Sequence, residues 1–387
     1  MTPGGAGVQH HEADTAGSVG TARPAGPSPA NDAFEATAGQ VLAGYLNTRC
    51  GDFLRSLRLY GESGSDTAAA EEAASALRCS ARRIGGSLHT FRVLLDPAWA
   101  DQLRTELGWL SGTLAQEYAC TARLHRLVSA LARLSGAGAA GAAAVPRART
   151  NGEGAEGGKA GPGPESGAEP GSGASAAPGA LTVGASRAGA LLERQLTLAR
   201  TRAHSAALQA LGSSRFHAVA DAVAVLASEV PLAPVAGAPA AEILAAPQSA
   251  AERRLLDAVS VLPLARAAHP YNAEALIHGL STPSDGDTQD APWHQVRLLL
   301  RLHRYAQEIR HVGGAPDPVL ADAGRALDRH RDAAEAAAAA ANAARTPRIA
   351  PATAYALGVL HADQRHEVEA ARYEFLQIWQ RRAATAP

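Results

Sequence analysis

Four basic side chains in the second half of the chain are spaced three, four and three residues apart. On a helix this spacing places all of them on one face. Arginine stays charged at physiological pH, and its planar guanidinium binds phosphate through paired hydrogen bonds. Like charges this close destabilise a helix, so the stripe needs an anion, either a carboxylate of the same chain or an external phosphate. The four residues are His294, Arg297, Arg301 and Arg304.

A weaker copy of this stripe occurs in the first half of the chain. A shift of 219 residues aligns Arg78 with Arg297 and Arg82 with Arg301. Arg83 follows directly, whereas a serine and a glycine occupy the positions of the histidine and of the last arginine. We interpret the repeat as an internal duplication whose first copy has lost half of its stripe. The first-copy arginines are therefore further candidates for contact with an anion.

The segments that must position these residues are typical of an all-α protein. Apolar residues make up 46% of the chain and aromatic residues only 4%, and alanine, the strongest helix former, supplies much of the apolar share. Apolar residues also recur at helical intervals. The pattern predicts helices over about 34–60, 68–94, 97–133, 187–211, 214–227, 249–280, 291–312, 317–345 and 351–383.

Two low-complexity segments divide the chain. Residues 1–33 and about 135–186 are rich in Gly, Ala, Pro and Ser. Such segments bury too little apolar surface to offset the entropy lost on ordering. We therefore expect a disordered tail over 1–33, a first helical half over 34–134, a linker or insertion over 135–186, and a second helical half within 187–383.

Composition and motifs restrict the function classes. The formal net charge is −1, so an anion site must come from local clustering, and a nucleic-acid binder is disfavoured because the basic residues lack interleaved aromatics. The three cysteines have no CxxC spacing, and no metal-binding or catalytic motif is present. A signal peptide and a membrane span are not expected. We expect a cytoplasmic protein that is not an enzyme and uses no cofactor or metal.

The order of these motifs resembles the CHAD domain, the conserved histidine α-helical domain. Each half of a family member carries a helix of the form H-x-x-R-x-x-x-R-R-L-R, and the second copy ends in R-Y-A. The resemblance extends over about 34–383, apart from the linker, and includes AGQVLAGYL and ALGVLHADQRHEVEAARYEFLQIWQRR. The second copy is matched by His294, Arg297, Arg301, Arg304, Tyr305 and Ala306, and the first by Arg78, Arg82, Arg83 and HTFRVLLDP.

The resemblance implies two pseudo-symmetric helical bundles around a basic central channel that binds inorganic polyphosphate. It implies that the polyanion is held by Arg78, Arg82, Arg83, His294, Arg297, Arg301 and Arg304. Association with polyphosphate granules and regulation of polyphosphate metabolism are both compatible with such binding. The main alternative is a helical scaffold that has lost polyanion binding and serves a protein partner. Tyr118 stands where the family usually has the first of an arginine–aspartate pair.

Overall fold

The computed structural model describes residues 36–64, 66–136, 178–271, 277, 283–311 and 314–385. Within these ranges the chain forms helices joined by turns. Extended pairing there is limited to two isolated bridges, Thr37 with Pro239 and Leu95 with Leu232. The prediction of an all-α protein is therefore confirmed. The predicted disordered tail and most of the predicted linker lie outside the described residues.

Long helices form the framework, and short ones connect them. Single 3-10 turns occur at Arg92–Leu94 and at Pro234–Gly237. The helices are α1 (Ala38–Glu62), α2 (Thr67–Thr90), α3 (Pro97–Leu134), α4 (Pro178–Leu211), α5 (Ser214–Ser228), α6 (Ala240–Ile243), α7 (Ala245–Ser260), α8 (Leu264–Ala267), α9 (Pro283–Arg310), α10 (Pro318–Ala344) and α11 (Pro351–Thr385).

Side-chain caps begin the helices that surround the candidate residues. The carboxylate of Asp66 accepts hydrogen bonds from the backbone N–H groups of Ala68 and Ala69 at the start of α2. Asp96 and Asp317 cap α3 and α10 in the same way, each directly before a proline. Aspartate at the cap satisfies free N–H groups, and proline fits the first helical position because it has no N–H to lose.

One predicted helix was wrong in its length. The periodicity predicts a single helix over about 249–280, but α7 ends at Ser260 and the short α8 begins only after Pro263. Proline lacks the N–H that would continue the helix, and it disfavours helical backbone at the residue before it. Another helix is longer than predicted, because α4 begins at Pro178, inside the segment predicted as linker.

The apolar core joins the two helices that carry the arginines. The largest buried cluster consists mainly of side chains from α1, α2, α3 and α5. Ala306 and Ile309 of α9 belong to the same cluster and are fully buried. A second cluster connects α3 and α4 with α10 and α11, and a third packs α9 against α7, α10 and α11. The core therefore fixes α9 against α2.

Gly86 lets α2 and α9 approach closely. A Cβ atom at this position would lie 2.7 Å from Cδ2 of Tyr305 and 3.2 Å from Cδ2 of Leu302. The neighbouring Gly85 differs, because a Cβ atom there would meet Cβ of Leu107 at an ordinary 3.9 Å. Glycine weakens a helix, but position 86 has no room for a side chain, because the two arginine-bearing helices are in tight contact there.

Alanine at these two positions has opposite expected effects on stability. Gly86→Ala lowers the free energy of unfolding by about 1–3 kcal/mol, because its methyl group forces the buried Tyr305 ring to move. Gly85→Ala raises it by about 0.5–1 kcal/mol, because alanine favours a helix over glycine. Urea denaturation measures both values. An equal gain in stability for both variants would contradict the close approach of α2 and α9.

Candidate arginine site

Three arginines from the two stripes lie together without a carboxylate partner. They are Arg78 and Arg82 of α2 and Arg301 of α9, named here the arginine cluster. Arg82 and Arg301 line the same pocket, and the charge of Arg82 lowers the pKa of Arg301. Among the described residues none of the three forms a salt bridge. The sequence-predicted stripes therefore face each other at this point.

The polar contacts of the arginine cluster are weak. Arg78 is only 8% exposed, its Nη2 lies 3.5 Å from Oγ of Ser75, and its guanidinium lies 5.1 Å from the centre of the Tyr118 ring. Arg82 donates to Sγ of Cys79 at 3.4 Å. The Nε atoms of Arg78 and Arg82 are buried without a hydrogen-bond partner among the described residues. A buried unpaired donor costs about 1–3 kcal/mol, so an anion bound here would relieve several such costs.

Burial and repulsion between neighbouring arginines lower the pKa of two cluster members, Arg78 and Arg301. Burial, together with the charges of Arg297 and Arg82, lowers the pKa of Arg301 to about 10. Burial and the charge of Arg82 lower the pKa of Arg78, to which Arg331 also contributes. At neutral pH these side chains remain charged, and the folded chain holds them at a cost in free energy. A bound polyanion would offset both the burial of these charges and their mutual repulsion.

Arg297 and Arg331 flank the cluster and have carboxylate partners of their own. Nε of Arg297 lies 2.5 Å from Oδ1 of Asp328. Nε of Arg331 donates to Asp332 at 3.0 Å and lies 3.7 Å from Glu335. Burial still lowers the pKa of Arg297. A phosphate at Arg297 would therefore compete with Asp328, and Arg297 is a weaker candidate than Arg301.

Arg83 and Arg304 lie elsewhere, at a second cavity of about 620 Å³ that Arg49 also lines. Nε of Arg83 donates to Oε2 of Glu308 at 3.1 Å, and the hydroxyl of Tyr45 donates to the same oxygen at 2.9 Å. These contacts connect α1, α2 and α9. The structure thus does not bring all seven predicted residues to one point.

The ring of Tyr305 is close to both arginine groups. It lines the pocket beside Arg82 and Arg301. The guanidinium of Arg83 lies 5.5 Å from the ring centre. Arg301, Arg83 and Arg82 all lower the pKa of Tyr305, although burial raises it on balance. Tyr305 therefore connects the arginine cluster with the second cavity.

His294 lies at the other end of the stripe, against a second histidine. Its ring meets His330 edge to face, with 5.5 Å between the ring centres. The pKa of His294 lies below its usual value, chiefly because of burial and secondarily because of the nearby Arg297 charge. Burial lowers the pKa of His330 to about 4. Both imidazoles are therefore neutral at pH 7 in the free protein.

A buried ion network behind His294 could not be located from the sequence. Asp290 of α9 accepts a hydrogen bond of 2.8 Å from Arg365 and one of 2.6 Å from Arg372, both of α11. Arg372 also donates to Glu369 at 2.6 Å. Each of these four residues is at most 6% exposed. The network anchors the start of the arginine-bearing face of α9 to α11.

The structure suggests no metal site or membrane crossing in its described part. Among the described residues, no group of three or more His, Cys, Asp or Glu side chains is placed to hold a metal ion. None of the described helices combines the length and the apolar character that a bilayer crossing requires. The charged groups that stand out are arginines, and the chemistry that they offer is anion binding.

Two comparisons relate the chain to known proteins. The family model described as CHAD domain matches residues 52–311. The solved structure of PptA from Streptomyces chartreusis is 56% identical in sequence, with a TM-score of 0.68, and the match covers 89% of this chain and 100% of that chain. No curated protein sequence matches the chain.

Proposed function

The chain belongs to the CHAD-domain family, and on that premise we propose that it binds inorganic polyphosphate or a similar polyanion through the arginine cluster. The observation that carries the proposal is the placement of Arg78, Arg82 and Arg301, which lie together with no salt bridge among the described residues. A polyphosphate chain presents charged oxygens at regular intervals, and these form strong hydrogen bonds with guanidinium groups. We propose binding without catalysis.

We further propose that the polyanion runs between the two helical halves of the chain. The first half, 34–134, supplies α2, and the second half, within 187–383, supplies α9. The path would begin at His294 and Arg297, cross the arginine cluster, and pass Tyr305 to Arg83 and Arg304. The close approach of α2 and α9 at Gly86 holds the two helices, and with them the arginines of both stripes, in fixed relative positions. The proposed path would be the channel between two pseudo-symmetric bundles.

The cellular role that follows from polyanion binding is association with polyphosphate. Such a protein would accompany polyphosphate granules or regulate polyphosphate metabolism. Both roles need a site that holds the polymer without cleaving it. We propose these roles as consequences of binding, with the polymer as partner.

The direct test is binding of long-chain polyphosphate to the purified protein, with RNA of similar charge as comparator. Contact with three phosphates predicts that affinity falls by about twentyfold between about 50 and about 200 mM salt, because bound counterions are released. We expect tighter binding to polyphosphate than to RNA. Absence of binding to folded protein at low salt would overturn the proposal and favour the scaffold alternative, to be pursued by capture of protein partners.

His294 gives the proposed binding a pH dependence. A bound polyanion stabilises the protonated imidazole and raises the pKa of His294, so protons are taken up on binding. Affinity should therefore rise by about threefold to tenfold as the pH falls from about 7.5 to about 5.5. His330 does not contribute in this window, because its pKa is about 4.

The matched control for this effect is His294→Gln, which keeps a polar side chain and removes the titration. Isothermal titration calorimetry at several pH values measures affinity for both proteins. The variant should lose the additional rise in affinity at low pH that distinguishes the wild type. The same pH profile in both proteins would exclude His294 from contact with the polyanion.

A further inference from the structure

A pocket of about 250 Å³ adjoins the arginine cluster and is formed by α2, α3 and α9. Arg82 and Arg301 line it, so the pocket and the cluster share two guanidinium groups. The lining is largely apolar, and its apolar part, named here the floor, includes Leu107, Leu298 and Leu302. None of the described residues that line it is acidic. Inorganic polyphosphate has no apolar part, and therefore it leaves this floor without a partner.

A histidine and a third arginine, His89 and Arg104, also line the pocket. Nη1 of Arg104 lies 3.5 Å from Nδ1 of His89. A guanidinium only donates, so Nδ1 accepts and the proton of the neutral imidazole lies on Nε2. Burial and the charge of Arg104 lower the pKa of His89, which keeps the ring neutral at pH 7. The pocket thus combines apolar side chains, a neutral imidazole and three guanidinium groups.

We propose that this pocket takes the base of a nucleoside triphosphate whose phosphates bind the arginine cluster. The inference rests on the proposed function, because the phosphates would use the same arginines as polyphosphate. Charge complementarity at the arginine cluster favours a ligand with a compact polyanionic end. The apolar floor favours a flat, weakly polar group at the other end of the same ligand. Small-molecule pockets usually measure about 300–1,000 Å³. The smaller volume here suits a base, with the phosphates outside it at the cluster.

The test compares ATP with inorganic tripolyphosphate in the absence of divalent cations. Tripolyphosphate carries at least as much negative charge as ATP, so a purely electrostatic site binds it at least as tightly. We expect ATP to bind about tenfold more tightly, the effect of removing on the order of 60 Å² of apolar surface from water. Calorimetric titration of the full chain with each compound measures the ratio.

Gly85→Leu fills the pocket while leaving every arginine in place. A Cβ atom at Gly85 meets only an ordinary contact with Leu107, and leucine favours the helix over glycine. This variant should bind ATP and tripolyphosphate equally, with the affinity for tripolyphosphate unchanged. Leu298→Ala is the second variant. Leu298 is half exposed, and its truncation removes apolar surface from the pocket lining without filling the pocket. It should lower the affinity for ATP alone, by about threefold.

The outcomes separate this inference from the proposed function. Equal or tighter binding of tripolyphosphate by the wild type overturns the base pocket, while the polyphosphate test still decides the proposed function. A preference for ATP that survives in Gly85→Leu also overturns it. A preference for ATP that disappears in Gly85→Leu supports it, even if long-chain polyphosphate does not bind. If neither ATP nor tripolyphosphate binds, the proposed base pocket is overturned, and the result also weighs against the arginine cluster as an anion site.

Discussion

Replacement of Arg82 and Arg301 together by glutamine should lower the affinity for polyphosphate at least about 100-fold at low salt. Each arginine is expected to form charge-assisted hydrogen bonds, which contribute about 1.5–3 kcal/mol apiece. Loss of two phosphate contacts should also reduce the slope of log affinity against log salt by about 1.4. Calorimetric titration at several salt concentrations measures both quantities.

The same double variant should be at least as stable as the wild type. The pKa of Arg301 lies near 10 in the folded chain, below its ordinary value. The charged side chain is thus less stable in the folded than in the unfolded state, and at neutral pH it destabilises the fold. Its removal should leave the free energy of unfolding unchanged or raise it by up to about 2 kcal/mol. A loss of polyphosphate binding without a loss of stability would show that the two arginines serve binding and not folding.

The control for both effects is Arg55→Gln with Arg325→Gln, which changes the net charge equally. Both side chains are exposed and pair with a nearby aspartate on their own helix. This control should keep its affinity within about threefold, since distant charges are screened at moderate salt. If the control loses as much affinity as the cluster variant, binding depends on overall charge. If the cluster variant binds normally, the arginine cluster is not the site.

Asp290→Asn should lower the free energy of unfolding by about 3–5 kcal/mol. The substitution removes the carboxylate that both Arg365 and Arg372 contact, and a buried ion pair that loses one partner leaves an uncompensated charge. Glu369 remains as a partner for Arg372 only. Urea denaturation at pH 7 measures the loss. A change below about 1 kcal/mol would contradict the assignment of Asp290 as the centre of the buried ion network.

Asp290 also makes the stability of the folded chain depend on pH. Burial by itself would raise its pKa, but His330 and the guanidinium of Arg365 hold the pKa of this carboxyl well below its usual range. A carboxyl with a depressed pKa stabilises the folded chain above the unfolded value near 4, and this contribution is lost as the pH falls further. The wild type should therefore lose stability below about pH 4 more steeply than Asp290→Asn. Asp322→Asn, at an exposed pair with Arg325, should change stability by less than about 0.5 kcal/mol.

The sequence predicted the helical class and most helices, because apolar periodicity is a local signal. Arg82 and Arg301 were also predicted as candidates, since the repeated spacing marks them as equivalent members of the two stripes. Pairing across the fold was not predictable. Glu308 meets Arg83 across 225 residues, and nothing in its local pattern distinguishes it from an exposed acid.

Burial of charge was the second feature hidden from the sequence. Arg365 and Arg372 lie two helical turns apart on α11, where their pattern indicates an exposed face. Only the packing of α9 and α10 against α11 makes that face part of the interior. Tyr118 is a similar case, because its departure from the family pattern was visible while its position beside Arg78 was not.

The most direct measurement is a crystal structure of the protein with a short inorganic polyphosphate. We expect phosphate oxygens within hydrogen-bonding distance of the guanidinium groups of Arg82 and Arg301, with Arg78 as a further contact. Phosphates bound at another surface while this cluster stays empty would contradict the assignment of the arginine cluster as the polyanion site.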